Sequence, residues 1–169
     1  MKRTVKIIVS GDGGVGKTSF LNRLIHGKFD VNSKLTKGVD FFSKNIQLNG
    51  HDINFVMWDF AGQNQFKLLL SDFVDGSLAA FVLFDLSRFK TLENVKEWIR
   101  TLNSYGNIPA FILGNKSDQI HYEKYKYFDD YVLDLKKKYN NIIGYSRISS
   151  KTGYNIKKAF DEFIKKLSN

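Results

Sequence analysis

The residues best suited to chemistry lie near the amino terminus, where residues 11–18 read Gly-Asp-Gly-Gly-Val-Gly-Lys-Thr. They match a phosphate-binding loop, which is Gly, four residues and then Gly-Lys-Ser/Thr. Glycines let backbone N–H groups turn inward around phosphate oxygens, because no Cβ blocks the approach. The apolar run 5–9 precedes the loop and a helix-compatible stretch follows it, so a helix N-terminus adds partial positive charge.

The loop pattern also assigns roles to individual side chains. Lys17 is expected to reach the outer phosphates and to support catalysis, and the Thr18 hydroxyl is expected to bind Mg²⁺. A plain glycine-rich turn between a strand and a helix is the structural alternative. The residues predicted to line the phosphate site are Asp12, Gly13, Gly14, Val15, Gly16, Lys17, Thr18 and Ser19.

A second group follows another apolar run, where residues 58–63 read Trp-Asp-Phe-Ala-Gly-Gln. A carboxylate at Asp59, the end of the run, suits Mg²⁺ either directly or through water. Gly62 is expected to give its backbone N–H to a terminal phosphate, and Gln63 to orient a water for in-line attack as a catalytic residue. An Asp at a strand end is often only a cap, but the phosphate loop upstream favours the functional interpretation.

A third motif, Asn-Lys-Ser-Asp at residues 115–118, comes directly after the apolar run 110–114. Guanine presents its N1–H and its N2 amine side by side, and the Asp118 carboxylate can accept from both. Adenine would leave that carboxylate desolvated and unpaired, which allows discrimination of roughly 10⁴-fold. Asn115 is expected to bond the base or to tie loops together, and the Lys116 stem to cover one face of the ring.

Two further positions complete the predicted base site. Ser149, Ser150 and Lys151 follow the last apolar run, and the Ser150 backbone N–H is expected to meet the guanine O6. The alternative for this segment is a helix cap before Gly153. Phe29 follows the first helical stretch and is expected to stack edge-on against the base, with a place in the core as its alternative.

The order of apolar and helical segments predicts an α/β fold. Strands are predicted at residues 5–9, 39–48, 53–58, 79–85, 110–114 and 142–145, and five helices at 17–26, 64–73, 92–104, 122–139 and 156–167. The turn Asn49-Gly50 is a hairpin signal that makes the second and third strands antiparallel. We therefore predict one domain over residues 1–169, with a six-stranded, mostly parallel sheet flanked by helices, and ligands beyond the carboxyl ends of the strands.

The bulk properties narrow the function classes. The 169 residues include no Cys, which excludes disulfides, a thiolate metal site and a cysteine nucleophile and fits a reducing, cytoplasmic compartment. No apolar run approaches the roughly 20 residues of a membrane span, and the amino terminus leaves no room for a signal peptide. The net charge is +9, and several lysine clusters lie in the carboxyl-terminal part of the chain. These lysines are expected to form solvated helix faces or to attract the protein to acidic lipid, and no nucleic-acid partner is expected.

These motifs together resemble the Ras-like small GTPases, whose phosphate loop, Trp-Asp-x-Ala-Gly-Gln, Asn-Lys-x-Asp and Ser-x-Lys occur here in the family's order over nearly the whole chain. Residues 36–41, Thr-Lys-Gly-Val-Asp-Phe, look most like the first switch of the Rab branch. The resemblance implies a small G-domain of the P-loop NTPase fold, and it implies that Thr36 completes the Mg²⁺ shell together with Thr18 and Asp59. The chain departs from the pattern at Phe60, at residues 64–65 and in lacking prenylation cysteines, so effector identity and membrane anchoring do not carry over.

The resemblance further implies a switch that binds GTP and GDP with Mg²⁺ and hydrolyses GTP slowly, in intracellular trafficking or signalling. Effector, GTPase-activating and exchange proteins are expected at about residues 33–42 and 60–75, where Phe41 and Trp58 lie near the surface. Neither switch region contains an arginine, so a partner's arginine is expected to supply most of the rate. Membrane association is expected to be peripheral, indirect or electrostatic.

The alternatives left open differ in what they do with the same loop. They are an ATP-using P-loop enzyme such as a small kinase, a nucleotide-binding module with negligible hydrolysis, and an RNA-associated GTPase suggested by charge alone.

Overall fold

A computed structural model describes residues 3–62 and 70–168. Six strands form one sheet in the order β2-β3-β1-β4-β5-β6. β1, β3, β4, β5 and β6 run parallel, and only β2 is antiparallel to its neighbour. The strands are β1 (Arg3–Gly11), β2 (Val39–Leu48), β3 (His51–Phe60), β4 (Ala79–Asp85), β5 (Ala110–Asn115) and β6 (Ile142–Arg147).

Helices fill the connections between the parallel strands, so both faces of the sheet are covered. In the described part of the chain they are α1 (Lys17–His26), α2 (Phe89–Glu93), α3 (Val95–Ser104), α4 (Tyr125–Lys138) and α5 (Ile156–Leu167), with a helical turn at residues 70–73 and 3₁₀ turns at Ser117–Gln119 and Tyr122–Lys124. None of the described helices is long and apolar enough to cross a membrane. The predicted α/β class, with a mostly parallel sheet and five flanking helices, is confirmed.

The predicted hairpin joins β2 and β3. Asn49 and Gly50 both have positive φ angles, 51° and 77°, which is the conformation of the tight turns that match the twist of antiparallel strands. The ladder pairs Leu48 with His51 and continues to Val39 opposite Phe60. The hairpin therefore runs the full length of both strands and ends beside the predicted site.

Some predicted boundaries differ from those observed. The helix expected at 92–104 begins earlier and is interrupted at Asn94, whose side chain turns back to the phosphate loop. The helix expected at 122–139 opens with a 3₁₀ turn and becomes α-helical at Tyr125. Of the helix expected at 64–73, residues 70–73 are helical, and 64–69 lie outside the described residues.

The alternating side chains of the strands build two cores. On one face, β-strand residues such as Ile8 and Val82 pack with α3 and α4, and Trp98 and Phe128 anchor those helices. On the other face, Phe81 belongs to the core that includes α1 and α5. Because five parallel strands are fixed between these layers, their carboxyl ends lie together along one edge of the sheet.

We expect Phe81→Ala to lower the free energy of unfolding by about 3–5 kcal/mol, because Phe81 is fully buried and its removal leaves a cavity. Its ring centroid lies 4.1 Å from that of Phe163, 5.3 Å from that of Phe20 and 6.2 Å from that of Phe111. Urea unfolding measures the change. Leu133→Ala, on an α4 side chain that is 53% exposed, is the matched control and should change the value by about 0.5 kcal/mol or less. Equal losses in both variants would contradict this account of the core.

Candidate functional site

A cavity of about 290 Å³ opens where β1, β3, β5 and β6 end. It collects segments that are far apart in the sequence, and most of the predicted site residues line it. Those residues are Gly13, Gly14, Gly16, Lys17, Thr18, Ser19, Phe29, Thr36, Gly62, Asn115, Lys116, Asp118, Ser150 and Lys151. Phe29 belongs to neither core cluster, which removes its structural alternative.

The other predicted site residues lie behind the cavity or outside the described part. Val15, Ser149 and Asp59 are not in the lining, but each has a partner that is. Asp12 faces away, with its carboxylate accepting hydrogen bonds from Asn94 Nδ2 at 2.6 Å and from Trp98 Nε1 at 3.0 Å. Gln63 lies outside the described residues.

The two kinds of polar group in the phosphate-loop backbone differ in whether they have partners. Within residues 3–62 and 70–168, the N–H groups of residues 13–16 have no hydrogen-bond acceptor. The carbonyls of the same stretch are paired: Arg88 donates to Gly13 O at 3.0 Å, Lys116 to Gly14 O at 2.8 Å and Asn115 to Val15 O at 3.0 Å. Unpaired N–H donors beside a cavity are what a phosphate would require.

Two close approaches make glycine necessary in this region. Gly16 has a φ of 96°, and a Cβ there would collide with Asn115 Nδ2. A Cβ on Gly62 would collide with backbone atoms of Asp12 and Gly13. Gly62 therefore packs directly on the phosphate loop, as its predicted role requires.

Lys17 is held inside the loop. Its Nζ donates to Gly11 O at 2.9 Å and to Asp12 O at 3.0 Å, and the residue is only 6% exposed. Burial lowers the pKa of Lys17 to about 8, and the nearby charges of Asp59 and Asp12 oppose that shift. The ammonium is thus fixed at the base of the loop and ready to meet negative charge.

Three predicted oxygen ligands meet at one point beside Lys17. Thr18 Oγ1 lies 2.6 Å from Thr36 Oγ1 and donates to Asp59 Oδ2 at 2.5 Å. Asp59 is fully buried, and its Oδ1 has no hydrogen-bond partner among the described residues. Burial raises the pKa of Asp59 to about 6, although the hydrogen bond from Thr18 and the charge of Lys17 lower it. A buried carboxylate oxygen without a partner, next to two hydroxyls, fits the hard oxygen ligands that Mg²⁺ takes.

The base side of the cavity is rigidly connected. Asp118 Oδ1 accepts from Ser149 Oγ at 2.5 Å, which leaves Asp118 Oδ2 for a ligand. Asn115 Oδ1 accepts from both Ser150 N at 3.0 Å and Ser150 Oγ at 3.1 Å. The Ser150 amide, expected to meet guanine O6, is therefore paired with Asn115 in this structure.

The structure adds residues that the sequence analysis did not identify. Asp85, at the end of β4, accepts from Lys116 Nζ at 2.7 Å and from Arg88 Nε at 2.9 Å. Arg23, on α1, donates to Ser150 O at 2.9 Å and to Lys151 O at 2.5 Å, joining the helix after the phosphate loop to the base side. The sequence did contain a signal for Asp85 and Arg88, because they lie at or just after the end of an apolar strand, and ligands bind at the carboxyl ends of such strands.

An aromatic surface lies next to Thr36 on the hairpin. Phe41 of β2 is 60% exposed, and its ring meets the Trp58 ring edge-on at 4.7 Å. Trp58 also contacts Phe73 at 5.5 Å and carries Lys6 Nζ over its ring at 4.0 Å. Trp58 is thus half-buried beside the exposed Phe41.

Comparison with known proteins places the chain in a family. The model described as "Ras family" matches residues 6–169. The chain is also 32% identical, over 163 residues, to "Ras-related protein YPTC6" of Chlamydomonas reinhardtii, with 94% of this chain and 73% of the relative covered. Neither finding supports the kinase-like, non-hydrolysing or RNA-associated alternatives.

The resemblance found in the sequence, to the Ras-like small GTPases and to their Rab branch, is confirmed. The match to residues 6–169 includes the phosphate loop, the hairpin and all the strands described above except the first three residues of β1. Members of the family bind GTP and GDP, generally with Mg²⁺, and act as hydrolysing switches. The chain belongs to the Ras family, and it is a small GTPase.

Proposed function

We propose that this GTPase holds GTP or GDP with Mg²⁺ in the cavity at the carboxyl edge of the sheet. One observation carries the proposal: within the described residues, the N–H groups of four successive residues, 13–16, have no acceptor, and they lie at one end of a cavity that Asp118 also lines. A polyphosphate and a guanine satisfy both ends at once. The residue roles below are inferred from this arrangement.

The phosphate end uses backbone and one buried cation. The N–H groups of residues 13–16 and of Gly62 donate to phosphate oxygens, and Ser19 lies at the start of α1 where the helix dipole adds positive charge. Lys17 exchanges its two carbonyl partners for the outer phosphates, which return it to a fully charged state. Fixed donors of this kind stabilise charge that develops during phosphoryl transfer.

The base end reads guanine through Asp118, whose free carboxylate oxygen and shared Oδ1 accept from N1–H and the N2 amine. Ser149 holds the carboxylate in place. Phe29 and the Lys116 stem enclose the base from its edge and from one face, and Lys151 closes the cavity beside Ser150. Asn115 mainly connects two segments, because its side-chain amide is hydrogen-bonded both to the phosphate loop and to the Ser150 backbone.

The metal end is formed by Thr18, Thr36 and Asp59, with Asp59 acting directly or through water. Bound Mg²⁺ neutralises the charge of the triphosphate and of the departing phosphate. A bound cation would favour the ionised form of Asp59, whose pKa burial raises to about 6.

Hydrolysis requires a water in line with the outer phosphate. We assign its orientation to Gln63, on the strength of the family resemblance, and an arginine from an activating partner would add roughly 10³–10⁵ in rate. Gly13 has open space around it, with no atom within 4 Å of a Cβ built there, which leaves room for such a side chain.

The switch output follows from Thr36. Binding of the Thr36 hydroxyl in the GTP state orders residues of about 33–42, and partners then recognise the aromatic surface around Phe41 and Trp58 together with residues of about 60–75. A Rab-like protein of this kind would act in intracellular trafficking from the cytoplasm, with peripheral attraction to acidic membranes through its excess of 26 Lys and Arg over 17 Asp and Glu.

Asp118→Asn should exchange guanine for xanthine selectivity. The amide no longer accepts from both guanine donors, and its N–H₂ can instead donate to the second carbonyl of xanthine. Calorimetry with GDP and XDP should show guanine affinity reduced, by up to roughly 10⁴-fold, and xanthine affinity raised. Asp134→Asn, an exposed carboxylate on α4, is the control and should bind GDP like the wild type. Retained guanine selectivity in Asp118→Asn would show that the base is recognised elsewhere.

Gln63→Leu should bind GTP normally and hydrolyse it more slowly. Loss of water positioning is expected to cost on the order of 10²-fold in the single-turnover rate. The matched control is Gln47→Leu, which removes an exposed amide from β2. An unchanged rate of phosphate release in Gln63→Leu would refute the assigned role.

The stability of protein stripped of metal and nucleotide should report the buried Asp59. Its pKa in the folded chain is about 6, against about 3.9 in an unfolded chain. The stability contributed by the carboxyl is therefore complete below about pH 4 and is lost as the pH rises through 6. Relative to Asp59→Asn, the free energy of unfolding of the wild type should fall by about 2–3 kcal/mol from pH 4 to pH 7. Parallel pH profiles for the two proteins would contradict a raised pKa.

A further inference from the structure

The carbonyls of residues 13–15 in the phosphate loop are each bound by a side chain at or just after the end of β4 or β5. Arg88 binds Gly13 O, Lys116 binds Gly14 O and Asn115 binds Val15 O. Lys116 and Asn115 belong to the motif assigned above to the base, whereas Arg88 has no role in that assignment. Arg88 is therefore the component of this set that still needs an explanation.

The position of Arg88 is fixed by a buried acid. Its Nε donates to Asp85 Oδ2 at 2.9 Å while its Nη2 donates to Gly13 O at 3.0 Å, so one planar guanidinium spans both partners. Asp85 is fully buried and is anchored further by Ser87 N and Ser87 Oγ at 2.8 Å and 2.6 Å. An arginine engaged at two edges of its fork cannot turn freely.

The local charge is positive even though Asp85 is ionised. Burial raises the pKa of Asp85, but hydrogen bonds from Lys116, Ser87 and Arg88 outweigh it, and the net shift is downward. One carboxylate thus serves two cations, Arg88 and Lys116, which leaves one positive charge on the group. That charge lies against the carbonyl side of the loop.

A cation on a carbonyl oxygen changes the other end of the same peptide group. The Gly13 C=O and the Gly14 N–H share one conjugated, planar unit, so drawing electron density toward the oxygen makes the N–H a stronger donor. The Gly14 N–H is one of the amides without an acceptor within the described ranges, and Gly14 lines the cavity. The contact made by Arg88 on the outside therefore acts on a donor that meets phosphate on the inside.

We propose that Arg88 is a positioning residue for GTP hydrolysis, which acts through the Gly13–Gly14 peptide by fixing its orientation and strengthening its N–H as a donor to phosphate. The inference rests on the proposed nucleotide site. Arg88 is not in the cavity lining, which distinguishes this role from direct contact with the phosphates. Arg88 is also an arginine of this chain that lies outside the two predicted switch regions, neither of which contains an arginine.

The test compares Arg88→Ala and Arg88→Lys with the wild type. Removing a whole donor from such a site costs roughly 10²–10³ in rate, and Arg88→Ala leaves the donor in place, so single-turnover hydrolysis should slow by roughly tenfold. Arg88→Lys keeps a cation with the reach to bind Gly13 O and should recover part of the rate. Lys90→Ala is the matched control, since it removes an exposed cation two residues away that pairs only with Glu93 in the described structure.

A spectroscopic measurement separates positioning from a general structural effect. In GDP-loaded protein, the Gly14 amide ¹H and ¹⁵N resonances should shift in Arg88→Ala and stay in place in Lys90→Ala. Unchanged hydrolysis in Arg88→Ala would overturn the inference, and so would a rate in Arg88→Lys no better than in Arg88→Ala. Slower hydrolysis with an unmoved Gly14 amide would also overturn it and would indicate direct contact with phosphate.

The same experiment distinguishes failure of this inference from failure of the proposed function. If the wild type binds neither GDP nor GTP, the proposed site fails, and the Gly14 amide resonances of nucleotide-free wild type and Arg88→Ala then decide whether Arg88 polarises the peptide. If the wild type hydrolyses GTP and Arg88→Ala hydrolyses it equally well with an unmoved amide, only the role of Arg88 fails.

Discussion

The structure depends on one constraint: the N–H groups of the phosphate loop must stay free for a ligand while its carbonyls are bound within the chain. Buried backbone groups without partners are costly, so a loop that keeps donors free for a ligand needs its acceptors satisfied elsewhere. Here the side chains of Arg88, Lys116 and Asn115 bind the carbonyls of residues 13–15. The ends of β4 and β5 thus support the proposed phosphate site.

The parallel sheet explains why these side chains can reach the loop. β3 ends in Asp59 and Phe60, β4 ends in Asp85, and β5 ends in Asn115. The three polar residues among them are each at most 1% exposed. Such groups are tolerated inside a protein only when each has specific partners. Asp85 and Asn115 have theirs within the chain, whereas Asp59 keeps one oxygen unpaired among the described residues. Asp85 and Asn115 therefore hold the site in place, whereas Asp59 is the residue of these three that keeps an oxygen available for a ligand.

The sequence predicted the fold because its signals were local. Apolar runs of strand length, the Asn49-Gly50 turn and the helical spacing of the last helix each depend on neighbours in the chain, and the structure has all of them. The phosphate loop and the base motif could also be identified from the sequence, because each is a short run of consecutive residues. The contacts of Asp12 with Trp98 and of Arg23 with the Ser150 backbone were not, since they join residues 86 and 127 positions apart and follow no period. The break in the helix at Asn94 was missed for the same reason, because the Asn94 side chain makes a long-range hydrogen bond to Asp12 that helix propensity does not predict.

The segment that contains Thr36 has little packing of its own, which would allow a ligand bound there to control a nearby surface. Residues 27–38 have no regular secondary structure and are mostly exposed, so they lack the packing that holds the strands. Thr36 meets Thr18, and two residues later Gly38 O accepts from Ala61 N at 2.9 Å, where the ladder of the hairpin begins. Phe41 stands only three residues further along, roughly 10 Å at the rise of an extended strand. A segment with so little stabilisation of its own takes its order from whatever binds Thr36, and the nearest exposed consequence is the position of the Phe41 ring.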